Sequence, residues 1–231
     1  MNIEIYQLIE GAKKARGIAV IIDVFRAFSL EAYLSDMGVS EIVPVGDMDI
    51  AYAYRKSHPE ALLIGERHGV MLPGFDYGNS PSQVQGENLA GRTVVHTTSA
   101  GTQGIANAEK ADEVLTGSLV NAAAIARYIK EKNPKQVSLV CMGVEAVGPS
   151  DEDTLCAEYI RALLRGEAFD LAPRIGALKY GTGARFFDPA HPESPEEDFY
   201  LCTKPDIFDF ILRAEECSDG LRRIRRIDMG P

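Results

Sequence analysis

The stretch "GIAVIIDVFRAFSLEAYLSDMG", residues 17–38, decides how the fold is read. Its first part, "GIAVIID" (17–23), is an unbroken apolar run that ends on an acid. Continuous rather than alternating apolar character suits a strand covered on both faces. Its second part, "RAFSLEAYLSDMG" (26–38), places Phe28, Ala32 and Met37 on roughly one stripe. It stops at Gly38, a natural residue just beyond a helix end. A buried strand that runs straight into a helix is the first half of a βαβ unit.

Working outward, the same alternation recurs. Strand-length apolar runs stand at "EIVPV" (41–45), "ALLIG" (61–65), "RTVVHTT" (92–98), "DEVLTG" (112–117) and "QVSLVCMG" (136–143). "NIEIYQL" near the start adds an edge strand. Helical patterns separate them: "DIAYAYRKSH", the Ala-rich "SLVNAAAIARYIKEKNP" stopped at Pro134, and "DEDTLCAEYIRALLRGE". The last has acids in its first turn and Arg161 and Arg165 later, as the helix dipole favours, and ends at Gly166. This predicts an α/β fold, a three-layer α/β/α sandwich around a largely parallel or mixed sheet. "PDIFDFILRAEE" reads as a helix and "LRRIRRID" as a strand with one solvated face. Gly181 to Asp198, rich in Gly, Pro and acids, reads as a loop whose order the sequence leaves open. With no repeat, low-complexity tract or linker, residues 1–231 read as a single domain.

The bulk numbers narrow the function. A net charge of −10 and a pI of about 4.9 argue against broad nucleic-acid or anionic-membrane binding. A locally positive site for an anionic substrate is still allowed. The first residues show no basic stretch followed by an apolar core, so no signal peptide is expected. No apolar run approaches the roughly 18 residues of a membrane span. The four cysteines form no C-x-x-C pair and read as buried thiols of a cytoplasmic protein.

In parallel sheets ligands collect at the carboxyl ends of the strands. The polar clusters fall there: Asp23 to Arg26, Glu66 and Arg67, Thr97 to Thr102, Gly117 to Asn121, and Gly143 to Asp153. One composite site is the expectation. The loop "GERHGVMLPGFDYGNSP" (65–81) is long enough to serve it. "HTTSAGTQG" (96–104) puts hydroxyls around Gly101 at a probable helix start, where free N–H groups favour a phosphate or sulfonate. Asp23 could hold a divalent cation and Arg26 could clasp phosphate. Glu66, Asp76, Glu145, Asp151, Glu152 and Asp153 complete a set of hard oxygen donors suited to magnesium. "GDMDIA" (46–51) has D-x-D spacing, but Pro44 and Gly46 break the preceding strand and Ala51 stands where Thr or Val is usual, and "TTSAG" (97–101) lacks the first glycine of a nucleophile elbow. His68 and His96 lie in or beside the site loops and could supply a proton.

"DVFRA" (23–27), "GER" (65–67), "GFDYGNSP" (74–81), "TTSAGT" (97–102), "GSLVNA" (117–122) and "EDTLCA" (152–157) occur in order. Together they resemble the 2-phosphosulfolactate phosphatase family, although Ala100 stands where that pattern often has Asn. The resemblance implies a cytoplasmic, magnesium-dependent α/β/α enzyme that hydrolyses 2-phosphosulfolactate to 3-sulfolactate and phosphate, on the route to coenzyme M. The corresponding expectation assigns catalysis to Asp23, Arg26 and Arg67. It assigns the metal to Asp23, Glu66, Asp76 and Asp153. The anionic substrate falls to Asn79, Ser80, Thr97, Thr98, Gly101, Thr102, Ser118 and Asn121. No nucleic acid and no membrane are expected as partners, and a homo-oligomer is allowed. The alternative is a module that binds a small phosphorylated or sulfonated acid without turnover.

Overall fold

The structure, a computed structural model, describes residues 1–230. Its strands are β1 (Asn2–Gln7), β2 (Ile18–Ile22), β3 (Glu41–Pro44), β4 (Leu62–Arg67), β5 (Val70–Met71), β6 (Thr93–Thr97), β7 (Glu113–Gly117), β8 (Gln136–Cys141), β9 (Phe210–Glu216) and β10 (Arg222–Asp228). The helices are α1 (Leu8–Ala12), α2 (Ala27–Asp36), α3 (Met48–Ser57), α4 (Pro81–Val84), α5 (Gly101–Asn107), α6 (Ala122–Lys132), α7 (Asp151–Arg165), α8 (Leu171–Ala177) and α9 (Glu196–Cys202). Short 3₁₀ turns add Leu119–Asn121, Leu178–Tyr180 and Thr182–Phe187.

All ten strands join one mixed sheet in the order β1-β8-β2-β7-β9-β10-β3-β6-β4-β5. One block, β1, β8, β2 and β7, is parallel throughout. A second, β3, β6 and β4, is parallel within itself. Between them sits the antiparallel hairpin β9–β10. The hairpin overturns the expected helix over the C-terminal segment. Phe210, Ile211 and Leu212 are buried, and β9 forms a ladder with β7 from Val114 opposite Ala214 to Thr116 opposite Leu212. A short apolar run cannot by its period be told from a buried helix segment, and the open edge of β7 settled it here. The expected strand over "LRRIRRID" is β10, with Ile224 buried and Arg225 and Arg226 exposed.

The fold is an α/β sandwich whose faces follow the two-residue period of the strands. Val20 and Ile22 of β2 pack outward with Ile125 and Ile129 of α6 and Leu155 and Ile160 of α7. Ala19 and Ile21 point inward and share a core with Phe28 and Leu30 of α2 and Ile105 of α5. That inner core also takes Ile42, Ile64 and Val94 from the second block. Val43, Leu63 and Val95 face the other way, with Ala51 of α3. The sheet thus wraps α2 and α5 between its two halves. β10 meets β3 at one residue pair, Ile224 with Ile42. The carboxyl ends of β2 and β8 in one block and of β4 and β6 in the other open on one cleft.

Close approach of α5 to β2 depends on Gly104. A Cβ there would lie 2.5 Å from both Ile21 Cγ2 and Met142 Sδ. Gly104→Ala should lower stability by about 1–3 kcal/mol through overpacking, measured by urea denaturation. An unchanged midpoint would show that the helix can shift without cost.

Candidate active site

The cleft, about 190 Å³, is lined by segments far apart in the chain. Asp23 and Arg26 follow β2, Glu66 lies near the end of β4, and His68 and Gly69 form the β4–β5 turn. Asn79 precedes α4, Ser99 and Ala100 follow β6, and Gly143 to Glu145 follow β8. Glu152 enters from the first turn of α7, and Arg185, His191, Glu193 and Ser194 come from the Gly/Pro-rich segment. The size suits a molecule of a few heavy atoms rather than a large ligand.

Buried carboxylates dominate its floor. Asp23 accepts the Ala27 N–H at 3.3 Å. The Gly101 N–H lies close enough to favour the ionised Asp23 carboxylate, and a Cβ at Gly101 would stand 2.8 Å from Oδ2. Glycine is what lets the start of α5 come this close. Burial, opposed by these N–H groups and reinforced by the charges of Glu66 and Glu152, pushes the Asp23 carboxyl up to about 7. Glu66 is clamped by Ser99 N–H at 2.7 Å, Gly69 N–H at 2.7 Å and Ser99 Oγ at 3.1 Å. Glu152 accepts the Thr182 hydroxyl, and burial raises its carboxyl.

Asp153 stands behind these groups, not among the cleft-lining residues. Its oxygens accept Val24 N–H and Gly143 N–H, each at 2.8 Å, and so tie the ends of β2 and β8 together. Burial, then the charges of Glu152 and Asp23, drive its carboxyl well above the usual range.

The cationic side differs from the sequence expectation. Arg26 is buried, and its Nη1 donates to Asp198 Oδ2 at 2.9 Å and to Glu193 O at 2.8 Å. Asp198 is fully buried and also accepts Ser80 Oγ at 3.0 Å and Ser82 N–H at 2.9 Å. It therefore binds Arg26, the 65–81 loop and α9 into one unit. Arg67 does not reach the cleft. Strand alternation turns Glu66 inward and Arg67 to the other side, where it donates to Gly46 O at 3.0 Å and Thr97 Oγ1 at 2.9 Å. Arg185 takes the place expected for it. It lines the cleft, donates to Phe25 O at 3.2 Å, leaves a buried Nε without a partner, and forms no ion pair among the described residues.

Other expected residues also lie elsewhere. Asp76 is half-exposed, pairs with Arg55 and accepts Leu63 N–H at 2.7 Å, so it anchors the loop to β4 and is no cleft ligand. Thr98 and Thr102 satisfy one another, Thr98 N–H to Thr102 Oγ1 at 3.0 Å and Thr102 N–H to Thr98 Oγ1 at 3.2 Å. Thr97 is spent on Arg67 and Ser80 on Asp198. Ser118 and Asn121 form a buried capping box, with Ser118 Oγ 2.5 Å from Ser29 Oγ. Gly101 packs against the Asp23 carboxylate and is not among the cleft-lining residues. Of the expected substrate set, Asn79 lines the cleft. Asp47 of the D-x-D decoy is the N-cap of α3, accepting Asp49 N–H at 2.9 Å. Sequence reasoning missed Arg185, His191, Glu193 and Asp198. Their signal was an Arg, a His and several acids within a Gly/Pro-rich stretch of unusual length.

No group of three or more His, Cys, Asp or Glu among the described residues forms a ready-made metal cage. Magnesium does not need one, because it takes one or two carboxylates and fills its shell with water and substrate oxygens. Asp23, Glu66 and Glu152 fit that demand as hard, buried donors, none of them in an ion pair among the described residues.

Residues 3–216 match the family described as 2-phosphosulpholactate phosphatase. The chain belongs to that family. A Bacillus subtilis (strain 168) protein named probable 2-phosphosulfolactate phosphatase is 32% identical over 220 residues, 94% of this chain and 95% of that protein. One of the same name from Caldanaerobacter subterraneus is 31% identical over 210 residues, 83% of this chain and 85% of its own. A third, from Deinococcus radiodurans, reaches 39% over 150 residues, 63% of this chain and 62% of its own. The family match runs from β1 to the end of β9, so it includes Arg185 and Asp198 as well as the earlier motifs.

Two outcomes follow. Asp198→Ala leaves a buried guanidinium unpaired and should cost about 3–5 kcal/mol in chemical denaturation. A cost under about 1 kcal/mol would mean that Arg26 finds another partner. In metal-free protein the Asp23 carboxyl is raised above its unfolded value, so native protein binds the extra proton. Its contribution is whole below about 4 and is lost as pH rises towards about 7. The slope of stability against pH across that window should be less negative in Asp23→Asn. Identical slopes would refute the shift.

Proposed function

We propose that the protein is a magnesium-dependent phosphomonoesterase acting on 2-phosphosulfolactate or a closely related small phosphorylated acid in the cytoplasm. One observation carries this: a small cleft holds three buried carboxylates, Asp23, Glu66 and Glu152, together with the guanidinium of Arg185, none of them in an ion pair among the described residues. The carboxylates call for a cation and the guanidinium for an anion. Family membership and the names of the relatives supply the substrate class. The cytoplasmic setting rests on four free thiols.

Magnesium, held by Asp23, Glu66 and Glu152, would supply charge neutralisation at the phosphate and orient water. The chain's own residues do the rest. Arg185 presents N–H groups to equatorial phosphate oxygens or to the sulfonate, where a fork of charge-assisted bonds fixes orientation. Asn79 lies in reach of the same ligand. Arg26, held by Asp198 and by Glu193 O, forms a fixed wall of the cleft that need not move during the reaction. Ser99 holds Glu66 in place through both its N–H and its hydroxyl.

The test is phosphate release from a panel of phosphorylated three-carbon acids, phosphosulfolactate included, with magnesium and with EDTA. Release should require the metal and should vanish in Asp23→Asn. Arg185→Ala should raise KM by about ten- to a hundredfold, the worth of hydrogen bonds to a charged group. Tight binding of these acids with no release from any of them would establish the binding-module alternative instead.

A further inference from the structure

Behind the cleft lies an ionisable pair that the proposed chemistry does not use. Glu31 of α2 and His96 of β6 are both fully buried, with Glu31 Oε1 2.9 Å from His96 Nδ1. The second Glu31 oxygen has no partner. The other ring nitrogen, Nε2, lies 3.4 Å from Oδ1 of Asn79. Asn79 is itself buried, and it lines the cleft. A line of polar atoms thus runs from the inner core to the site.

Such a pair is a poor device for stability. Burying two ionisable groups costs several kcal/mol, and apolar residues of the same volume would serve the core at least as well. What the pair does supply is direction. Nδ1–H donates to the Glu31 carboxylate, and for Asn79 Oδ1 to accept at Nε2 that nitrogen carries a hydrogen as well, so the ring donates at both ends, an imidazolium balanced by the buried carboxylate. With Oδ1 turned to the ring, the Nδ2 hydrogens are the end of the amide left for the cleft. A donor there meets an anionic oxygen favourably, whereas a reversed amide would oppose it with a second acceptor.

We propose that Glu31 and His96 are positioning residues that hold the Asn79 amide as a hydrogen-bond donor to the anionic oxygens of the ligand. This rests on the reading of the cleft as a site for a small phosphorylated acid. Neither Glu31 nor His96 touches the ligand, and their effect passes through Asn79.

A double-mutant cycle tests it, with Asn79→Ala, His96→Gln and the double variant. Two readouts are used: KM and kcat for phosphate release, and the Kd of inorganic phosphate by calorimetry with magnesium present. His96→Gln should weaken phosphate binding and raise KM by about tenfold, with a smaller change in kcat. In the Asn79→Ala background the same substitution should do nothing further. Additive effects, or unchanged phosphate affinity in His96→Gln, would overturn the assignment. If His96→Gln fails to fold by circular dichroism, Glu31→Gln takes its place in the cycle, with a several-fold effect expected only when Asn79 is present. A wild-type protein that binds phosphate in this Asn79-dependent way but releases none from any ester sinks the phosphatase reading and leaves the positioning role standing. A wild-type protein that does not bind phosphate overturns both.

Discussion

Carboxylates buried at the ends of β2 and β4 and in the first turn of α7 are the constraint on which the rest of the structure depends. Asp23, Glu66, Glu152 and Asp153 are each almost wholly withdrawn from water. A charge in that position is costly unless it is hydrogen-bonded or neutralised. The chain meets the first demand with its own backbone. Val24 and Gly143 serve Asp153, Gly69 and Ser99 serve Glu66, and Ala27 serves Asp23, with Gly101 packed against it. Those same bonds lock the strand ends and the start of α5 against one another. Among the described residues, the second demand is not met by any side chain in ion-pair contact. The remaining negative charge is the physical argument for a cation.

The opposite charge is handled in two ways. Arg26 is neutralised by Asp198 and so acts as scaffold as much as recognition element. Arg185 forms no ion pair among the described residues, and its charge favours the ionised Glu152 nearby. The difference comes from the Gly181 to Asp198 segment, which brings both Arg185 and the acid for Arg26. A segment that looks like connection is therefore what divides structural from available positive charge. Its short 3₁₀ turn, Thr182–Phe187, is anchored by Phe186 against Phe25 and by Thr182 on Glu152, so it is built into the site.

Much of the architecture was legible in advance. Seven of the strands stand on apolar runs long enough to be read directly, and the helices end at Gly38, Pro134 and Gly166 for local reasons of backbone geometry. The meeting of Asp23 and Glu66 was legible too, because parallel strands collect ligand groups at one set of ends. Less legible was which of two adjacent residues faces the cleft. Glu66 and Arg67 are equal candidates as letters, and only the pleat separates them. Hydroxyls at Thr97, Thr98, Thr102 and Ser118 suggest a phosphate cradle, yet each is consumed by a partner inside the fold. Asp76 illustrates the same limit, since Arg55 and the Leu63 N–H claimed it first.

Sequence by itself determined the α/β alternation, the acidic strand ends and the family, because these rest on local patterns of polarity and on motifs that survive without coordinates. Tertiary structure decided the antiparallel hairpin inserted between two parallel blocks, the choice of Arg185 over Arg67, and the buried line from Glu31 through His96 to Asn79. Each of those depends on which polar atoms already have partners and which way a side chain leaves the sheet, and both are set by residues a hundred or more positions away or on another strand.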